Sequence, residues 1–216
     1  MQRELFPIST ASTTIEQETI KLDSAGNCFL ELYRQFFSAE DGHLFYQELS
    51  SGLEWSQDQL QIGGRQIPIP RLQCWVGDAE ANYGYSGIQL TPRPFTDLLH
   101  LIKERVEFAS QCEFNSVLAN LYRDGQDSVG WHSDDEPELG ANPKIASVSL
   151  GGTRRFGLKP KTGSSGLVHI DLHNGDLLIM AGKTQHYWRH QIAKTRKPSK
   201  PRINLTFRKI WTKSSK

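Results

Sequence analysis

Cysteine is scarce in this chain. Cys28, Cys74 and Cys112 are the three in 216 residues, far apart and odd in number. Neither a disulfide framework nor a C-x-x-C zinc pattern is visible at that spacing, so reduced thiols in a cytoplasmic setting are expected. No apolar run approaches the ~20 residues a helix needs to cross a bilayer. The N-terminus lacks a basic segment followed by an apolar core, so secretion is not expected. Net charge is nearly absent at +1, which by itself excludes nothing about partners.

Charge is present, but it is segregated. Residues 1–149 carry 10 Lys and Arg against 22 Asp and Glu, whereas residues 150–216 carry 15 against Asp171 and Asp176. Such asymmetry hints at nucleic-acid contact, unless the halves interleave in space and the charges mix.

Residues 1–20 are polar and rich in Ser and Thr, and read as a flexible tail. Ser38 followed by Asp41 marks a helix start, with Leu44, Phe45 and Leu49 as its apolar face. Gln61 to Ile67 reads as a hairpin turning at Gly63-Gly64. A second helix is expected after Thr91-Pro92, where Phe95, Leu98, Leu99, Ile102 and Val106 recur at helical spacing. From Phe114 onward the pattern changes to short β-rich runs: FNSVLANLY, KIASVSLG, RRFGLK, LVHIDL, DLLIMAG, HYWRHQI and RINLTFRKI. Turn glycines separate them. Many short strands with regular turns predict an antiparallel sandwich or barrel, with the helices on one sheet.

Two constellations carry chemistry. In an extended segment, His132 and Asp134 share a face. With a second imidazole they would form the facial triad that suits non-haem iron(II) and leaves positions open for other ligands. His186 and His190 both qualify as the third ligand, and spacing alone does not choose between them. His169 and His173 read as ordinary strand histidines. The second constellation is the RINLTFR run. Alternation puts Arg202, Asn204, Thr206 and Arg208 on one face, a costly surface to bury unless it holds an anion. A dicarboxylate suits it, because arginine grips carboxylates through paired hydrogen bonds. Asn120 and Tyr122 share a strand face and would donate to the same acid.

Together, NLYRDGQDSVGWHSDDE, the Trp188-Arg189-His190 triplet and RINLTFR resemble the AlkB dioxygenases, most closely the eukaryotic nucleic-acid-repair members. The resemblance runs from about Pro70 to Ile210. It implies a mostly β, α+β fold: a double-stranded β-helix, or jelly roll, with helices packed on one sheet. Residues 21–216 would form one domain, with helices and a nucleotide-recognition hairpin and loop over 21–113 and the catalytic core over 114–210.

By the same resemblance iron(II) sits on His132, Asp134 and His190. Asn120, Tyr122, Arg202, Asn204, Thr206 and Arg208 surround 2-oxoglutarate. Arg208 would take the carboxylate beside the keto group, and Arg202 the distal one. Tyr83 and Tyr85 match the lesion-recognition loop, where a ring stacks on a flipped base. Asp135 and Glu136 would favour cationic N-methylated adenine or cytosine. The implied reaction is oxidative demethylation of DNA, and of RNA as a second substrate, with O2 as cosubstrate and succinate, CO2 and formaldehyde as products.

A nucleic-acid partner, no membrane and a monomeric state are expected. The implied location is the cytoplasm in a bacterium or the nucleus in a eukaryote. Arg154, Arg155, Lys159, Lys161, Lys194, Arg196, Lys197 and Lys200 are the candidate phosphate contacts. The chain departs from duplex-acting relatives at Gly63-Gly64, where a bulky wedge is wanted, with Ile62 or Gln61 as the alternative side chains for it. Competing readings are a 2-oxoglutarate oxygenase of a protein or small molecule, a nucleic-acid binder that kept the fold without activity, and a metal-free jelly-roll binding module.

Overall fold

The computed structural model describes residues 16–81, 83–85, 88–90, 92–163 and 166–211. Strands β1 (Glu16–Lys21) and β2 (Cys28–Arg34) precede helix α1 (Ala39–Gly52). Strands β3 (Gln59–Ile62), β4 (Arg65–Pro68), β5 (Leu72–Gly77), β6 (Tyr83–Tyr85) and β7 (Ile88–Leu90) follow, then helix α2 (Asp97–Ser110). The remaining strands are β8 (Ser116–Tyr122), β9 (Val129–His132), β10 (Ile145–Gly151), β11 (Arg154–Pro160), β12 (Val168–Leu172) and β13 (Leu177–Gly182). A helical turn α3 (Thr184–Tyr187) leads into β14 (Trp188–Ile192), and β15 (Arg202–Arg208) closes the core.

Two antiparallel sheets face each other. The large sheet runs β1-β2-β13-β10-β15-β8-β5 and the small one β12-β11-β14-β9. Strand alternation divides the core into two layers. One side of the large sheet, through Val148, Ile179, Ile203, Leu205 and Phe207, packs against Phe45 and Leu49 of α1 and Leu98, Leu99, Ile102 and Val106 of α2. The other side, through Leu30, Leu118, Leu178 and Met180, meets Phe156, Leu158, Leu172, Trp188 and Ile192 of the small sheet. This is the expected jelly roll with its helices on one sheet.

Local details both match and correct the sequence reading. Ser38 caps α1 by accepting from the Asp41 N–H, as its spacing predicts. Leu44 is half exposed, because one residue of offset from Phe45 turns it ~100° off the apolar face. Helix α2 starts later than expected. Thr96 is its cap, and Arg93 bridges to Val76 of β5 instead. The residue before a proline disfavours helix, and Arg93 precedes Pro94. The polar stretch read as a tail through residue 20 ends sooner, since Glu16–Ile20 belong to β1 and pair with β2. Residues 1–15 lie outside the described residues. The Gly63-Gly64 hairpin forms as expected, with both glycines at positive φ (56° and 77°), the requirement of a tight two-residue turn.

Candidate active site

The small sheet brings two histidines together. Leu158 on β11 pairs with His190 on β14, which in turn pairs with His132 at the end of β9. The rings of His132 and His190 have centroids 4.2 Å apart, and Phe156 stacks on His190 at 5.3 Å. Asp134 follows two residues after His132 and is fully buried. One ligand atom from each of His132, Asp134 and His190 lies within 4.8 Å of the others. Two imidazoles and a carboxylate at that spacing fit the donor set of a non-haem iron(II) centre.

Each of the three is prepared for a cation. The Gly130 carbonyl lies 2.8 Å from His132 Nδ1. A carbonyl only accepts, so Nδ1 carries the proton and Nε2 keeps its lone pair for a metal. Burial, with the neighbouring His132 adding to it, pushes His190 down to about 3, and burial lowers His132 as well. Both rings are therefore neutral. Burial works against the Asp134 carboxylate, but the charge and hydrogen bonds of the Arg208 guanidinium oppose it, and Asp134 is held down at about 2. The Asp134 N–H donates to Gln185 Oε1 at 2.9 Å, which fixes the backbone behind the carboxylate.

Strand β15 supplies the opposite wall. All seven of its residues are buried. Arg202, Asn204, Thr206 and Arg208 share the face that lines one cavity with Asn120, Tyr122 and the three candidate ligands. Pairing with β8 sets Asn204 opposite Asn120 and Arg202 opposite Tyr122. Asn204 donates to Ser147 Oγ at 2.7 Å, and Thr206 donates to Asn204 Oδ1 at 3.0 Å. Arg202 donates to Ser149 Oγ at 2.9 Å and lies over the Tyr122 ring at 5.4 Å. Its Nε and Nη1 are buried and find no hydrogen-bond partner among the described residues. Burial presses Arg202 down to about 10, still charged at neutral pH. A buried guanidinium with unmatched N–H groups suits a carboxylate ligand. Arg208 donates to both oxygens of Asp134, at 3.0 and 2.9 Å, and so touches the metal side of the cavity directly.

Several expectations need amendment. His186 does not sit on a strand. It belongs to the helical turn α3, where its Nε2 accepts from the Asn142 N–H at 3.3 Å, so even spacing from His190 carries no meaning there. Arg154 is buried and spends its N–H groups on the carbonyls of Asp124, Asp127 and Ala193, so it is not free to meet a phosphate. Arg155 pairs with Asp171, and Lys159 lies over the Trp131 ring at 4.5 Å. Lys161 pairs with Asp135 at 2.5 Å. Glu136 is half-buried at the start of a short 3-10 turn over Pro137–Leu139. Tyr83 and Tyr85 lie on β6, paired with Leu90 and Ile88, and their side chains lie outside the described residues. Arg71 was missed. It is buried in the cavity wall and donates to Asn120 Oδ1 at 2.8 Å. A lone arginine ahead of an apolar strand carries no signal of that kind.

Comparison with known proteins agrees with this geometry. The family model for the 2OG-Fe(II) oxygenase superfamily matches residues 29–208. The chain is 40% identical over 204 residues to mouse (Mus musculus) alpha-ketoglutarate-dependent dioxygenase alkB homolog 3, covering 89% of this chain and 70% of that protein. It is 37% identical over 188 residues to the human (Homo sapiens) DNA oxidative demethylase ALKBH2, covering 82% of this chain and 72% of that one. The solved structure of OsALKBH1 superposes with a TM-score of 0.60 at 19% identity, over 83% of this chain and 96% of that chain, a likeness of fold. The chain belongs to the 2OG-Fe(II) oxygenase superfamily, on its AlkB branch.

Proposed function

We propose that this chain oxidatively demethylates N-alkylated bases, such as N1-methyladenine and N3-methylcytosine, in DNA, with RNA as a second substrate. The observation that carries the reading is one buried cavity holding both a His-Asp-His cluster and an arginine strand, in a chain 40% identical to an alkB homologue.

His132, Asp134 and His190 are the residues that would hold iron(II). Arg202, with Asn120 and Tyr122, would hold the distal carboxylate of 2-oxoglutarate, and Asn204 and Thr206 would shape the strand wall between the two ends. Arg208 would orient Asp134 and meet the carboxylate nearer the metal. When bound, iron with 2-oxoglutarate and O2 supplies the oxidation that hydroxylates the N-methyl carbon, which leaves as formaldehyde alongside succinate and CO2.

The chain's own residues bind and orient. They also keep water from the reacting atoms, since Asp134, His190, Arg202 and Arg208 are all buried. Tyr83 or Tyr85 would stack on the flipped base, and Asp135 and Glu136 would face its charge. The loop bearing Lys194, Arg196, Lys197 and Lys200 would grip phosphates.

Single-stranded substrate is the preferred form in this reading. Gly63 and Gly64 themselves put no side chain at the hairpin tip, where a Cβ would meet nothing within 4 Å, so any wedge for an emptied base stack would have to come from Gln61 or Ile62. A monomer acting in the nucleus of a eukaryote or the cytoplasm of a bacterium completes the proposal. Among the described residues no helix is long and apolar enough to cross a membrane.

The test offers methylated single-stranded DNA, duplex DNA and RNA side by side and weighs the products. Loss of one methylene, about 14 Da, from the single strand supports the reading. Turnover of 2-oxoglutarate with no mass change in any nucleic acid would move the substrate to a protein or small molecule.

A further inference from the structure

Two buried guanidinium groups share one aromatic ring at the end of the arginine-lined cavity. The guanidinium carbon of Arg154 lies 5.5 Å from the centre of the Tyr122 ring, and that of Arg202 lies 5.4 Å from it. Tyr122 and Arg202 line the cavity, whereas Arg154, the first residue of β11, reaches the ring from outside that lining.

Arg154 is held still. Its Nη1 donates to the Asp124 carbonyl at 2.9 Å, and its Nη2 donates to the carbonyls of Asp127 at 2.9 Å and Ala193 at 2.8 Å. These acceptors belong to the turn after β8 and to the chain leaving β14. The side chain therefore cannot swing away without freeing two segments of backbone.

The carbonyls satisfy its N–H groups but leave its charge unanswered. Among the described residues no carboxylate forms a salt bridge with Arg154. Asp127 acts on it from a distance, but that carboxylate pairs with Arg123 and accepts three hydrogen bonds from it. Burial pulls Arg154 below the ordinary arginine value. Burial first, and the charge of Arg154 after it, press Arg202 down as well, so the two cations feel each other. A neutral amide also donates to carbonyls, without the cost of burying a charge. A fixed cation is useful here when an anion enters its field.

We propose that Arg154 is a positioning residue of the keto-acid site: a second fixed cation that, acting across Tyr122 without touching the ligand, makes the cavity select a dicarboxylate over a monocarboxylate. The inference rests on the reading that Arg202 meets the distal carboxylate of 2-oxoglutarate. Arg202 supplies the hydrogen bonds, through N–H groups that have no partner among the described residues. Arg154 supplies charge alone. Across about 10 Å, at an effective dielectric constant near ~20, one charge acting on another changes affinity on the order of tenfold.

The test compares 2-oxoglutarate with 2-oxopentanoate, which carries a methyl group in place of the distal carboxylate. Each acid is titrated into the iron(II)-loaded protein without O2, and binding is read from the charge-transfer band of the chelated keto acid. Arg154→Gln should weaken 2-oxoglutarate by about tenfold and leave 2-oxopentanoate within about twofold of the parent. Arg154→Lys loses the planar fork but keeps the charge, so it should hold 2-oxoglutarate within about threefold. Asp127→Asn keeps its shape and removes the opposing charge. It should tighten 2-oxoglutarate by about two- to fivefold with 2-oxopentanoate unchanged, a selective gain that damage to the fold does not produce.

Equal weakening of both acids in Arg154→Gln and Arg154→Lys would make Arg154 a structural clamp and overturn the proposal. So would no change in either acid, or the absence of a selective gain in Asp127→Asn, which decides the matter alone if Arg154→Gln does not fold. A parent that binds the two acids equally sinks the reading of the cavity as a diacid site. A parent preference that survives Arg154→Gln sinks only the role of Arg154.

Discussion

Arg208 donates through one nitrogen to both carboxylate oxygens of Asp134, at 3.0 and 2.9 Å, with both side chains buried. The arginine strand and the metal cluster are therefore one unit, joined at an atom. Arg208→Lys would keep the charge but lose the planar donor geometry. We expect it to lower 2-oxoglutarate turnover by about 10- to 100-fold, the usual cost of losing a partner that orients a metal ligand. Turnover within a factor of two of the parent would argue against that coupling.

His190 and His186 make an internal control. His190 sits in the triad row, while His186 accepts from the Asn142 backbone outside it. His190→Ala should abolish binding of Co(II), used as a spectroscopic substitute for iron, and His186→Ala should leave the spectrum and affinity near the parent's. The reverse pattern would reassign the third ligand.

Arg202 offers a stability test. Its Nε and Nη1 are buried without hydrogen-bond partners among the described residues. Such a charge costs folding energy until an anion meets it. Arg202→Met should leave the melting temperature without 2-oxoglutarate equal or higher. The stabilisation given by 2-oxoglutarate should largely disappear, through loss of roughly 1.5–3 kcal/mol of charged hydrogen bonding. A variant that melts much lower in the absence of 2-oxoglutarate would show that Arg202 is structural.

A fourth prediction concerns acid. Asp127 is buried and accepts three hydrogen bonds from Arg123. Burial alone would raise its carboxyl, but the Arg123 hydrogen bonds and charge, with Arg154 nearby, bring it below the ordinary value. Because the folded value is the lower one, this stabilisation is fully present above the unfolded value near ~3.9 and is lost as pH falls through the folded value. Urea unfolding of the parent and of Asp127→Asn should therefore show a constant gap from pH 7 down to about 5, closing progressively below 4. A gap that widens in acid would reverse the sign.

The core strands and the site's main residues were legible because period-two alternation exposes them. RINLTFR presents four polar residues on one face, and the structure buries all four against Asn120 and Tyr122. Strands β2 and β5 were not legible. Both sit in the large sheet with one face toward each core layer; in LQCWVG apolar residues occupy both faces beside the buried Gln73, so no clear polar–apolar alternation marks β5. The turn α3 was misread as strand because its four residues precede β14 without a breaker. Partnerships were the least visible feature. Nothing in spacing says that Arg154 is consumed by backbone carbonyls, or that Lys161 answers Asp135 across 26 positions.

The central claim is that His132, Asp134 and His190 hold iron beside an arginine-lined site for a keto acid. The most direct measurement mixes the purified protein with iron(II) and 2-oxoglutarate without O2 and records the visible absorption. Chelation of iron by the keto acid gives a charge-transfer band. The account predicts this band for the parent, its loss in His190→Ala and Asp134→Ala, and its survival in His186→Ala. A parent protein with no band, or a band that persists without His190 and Asp134, would contradict it.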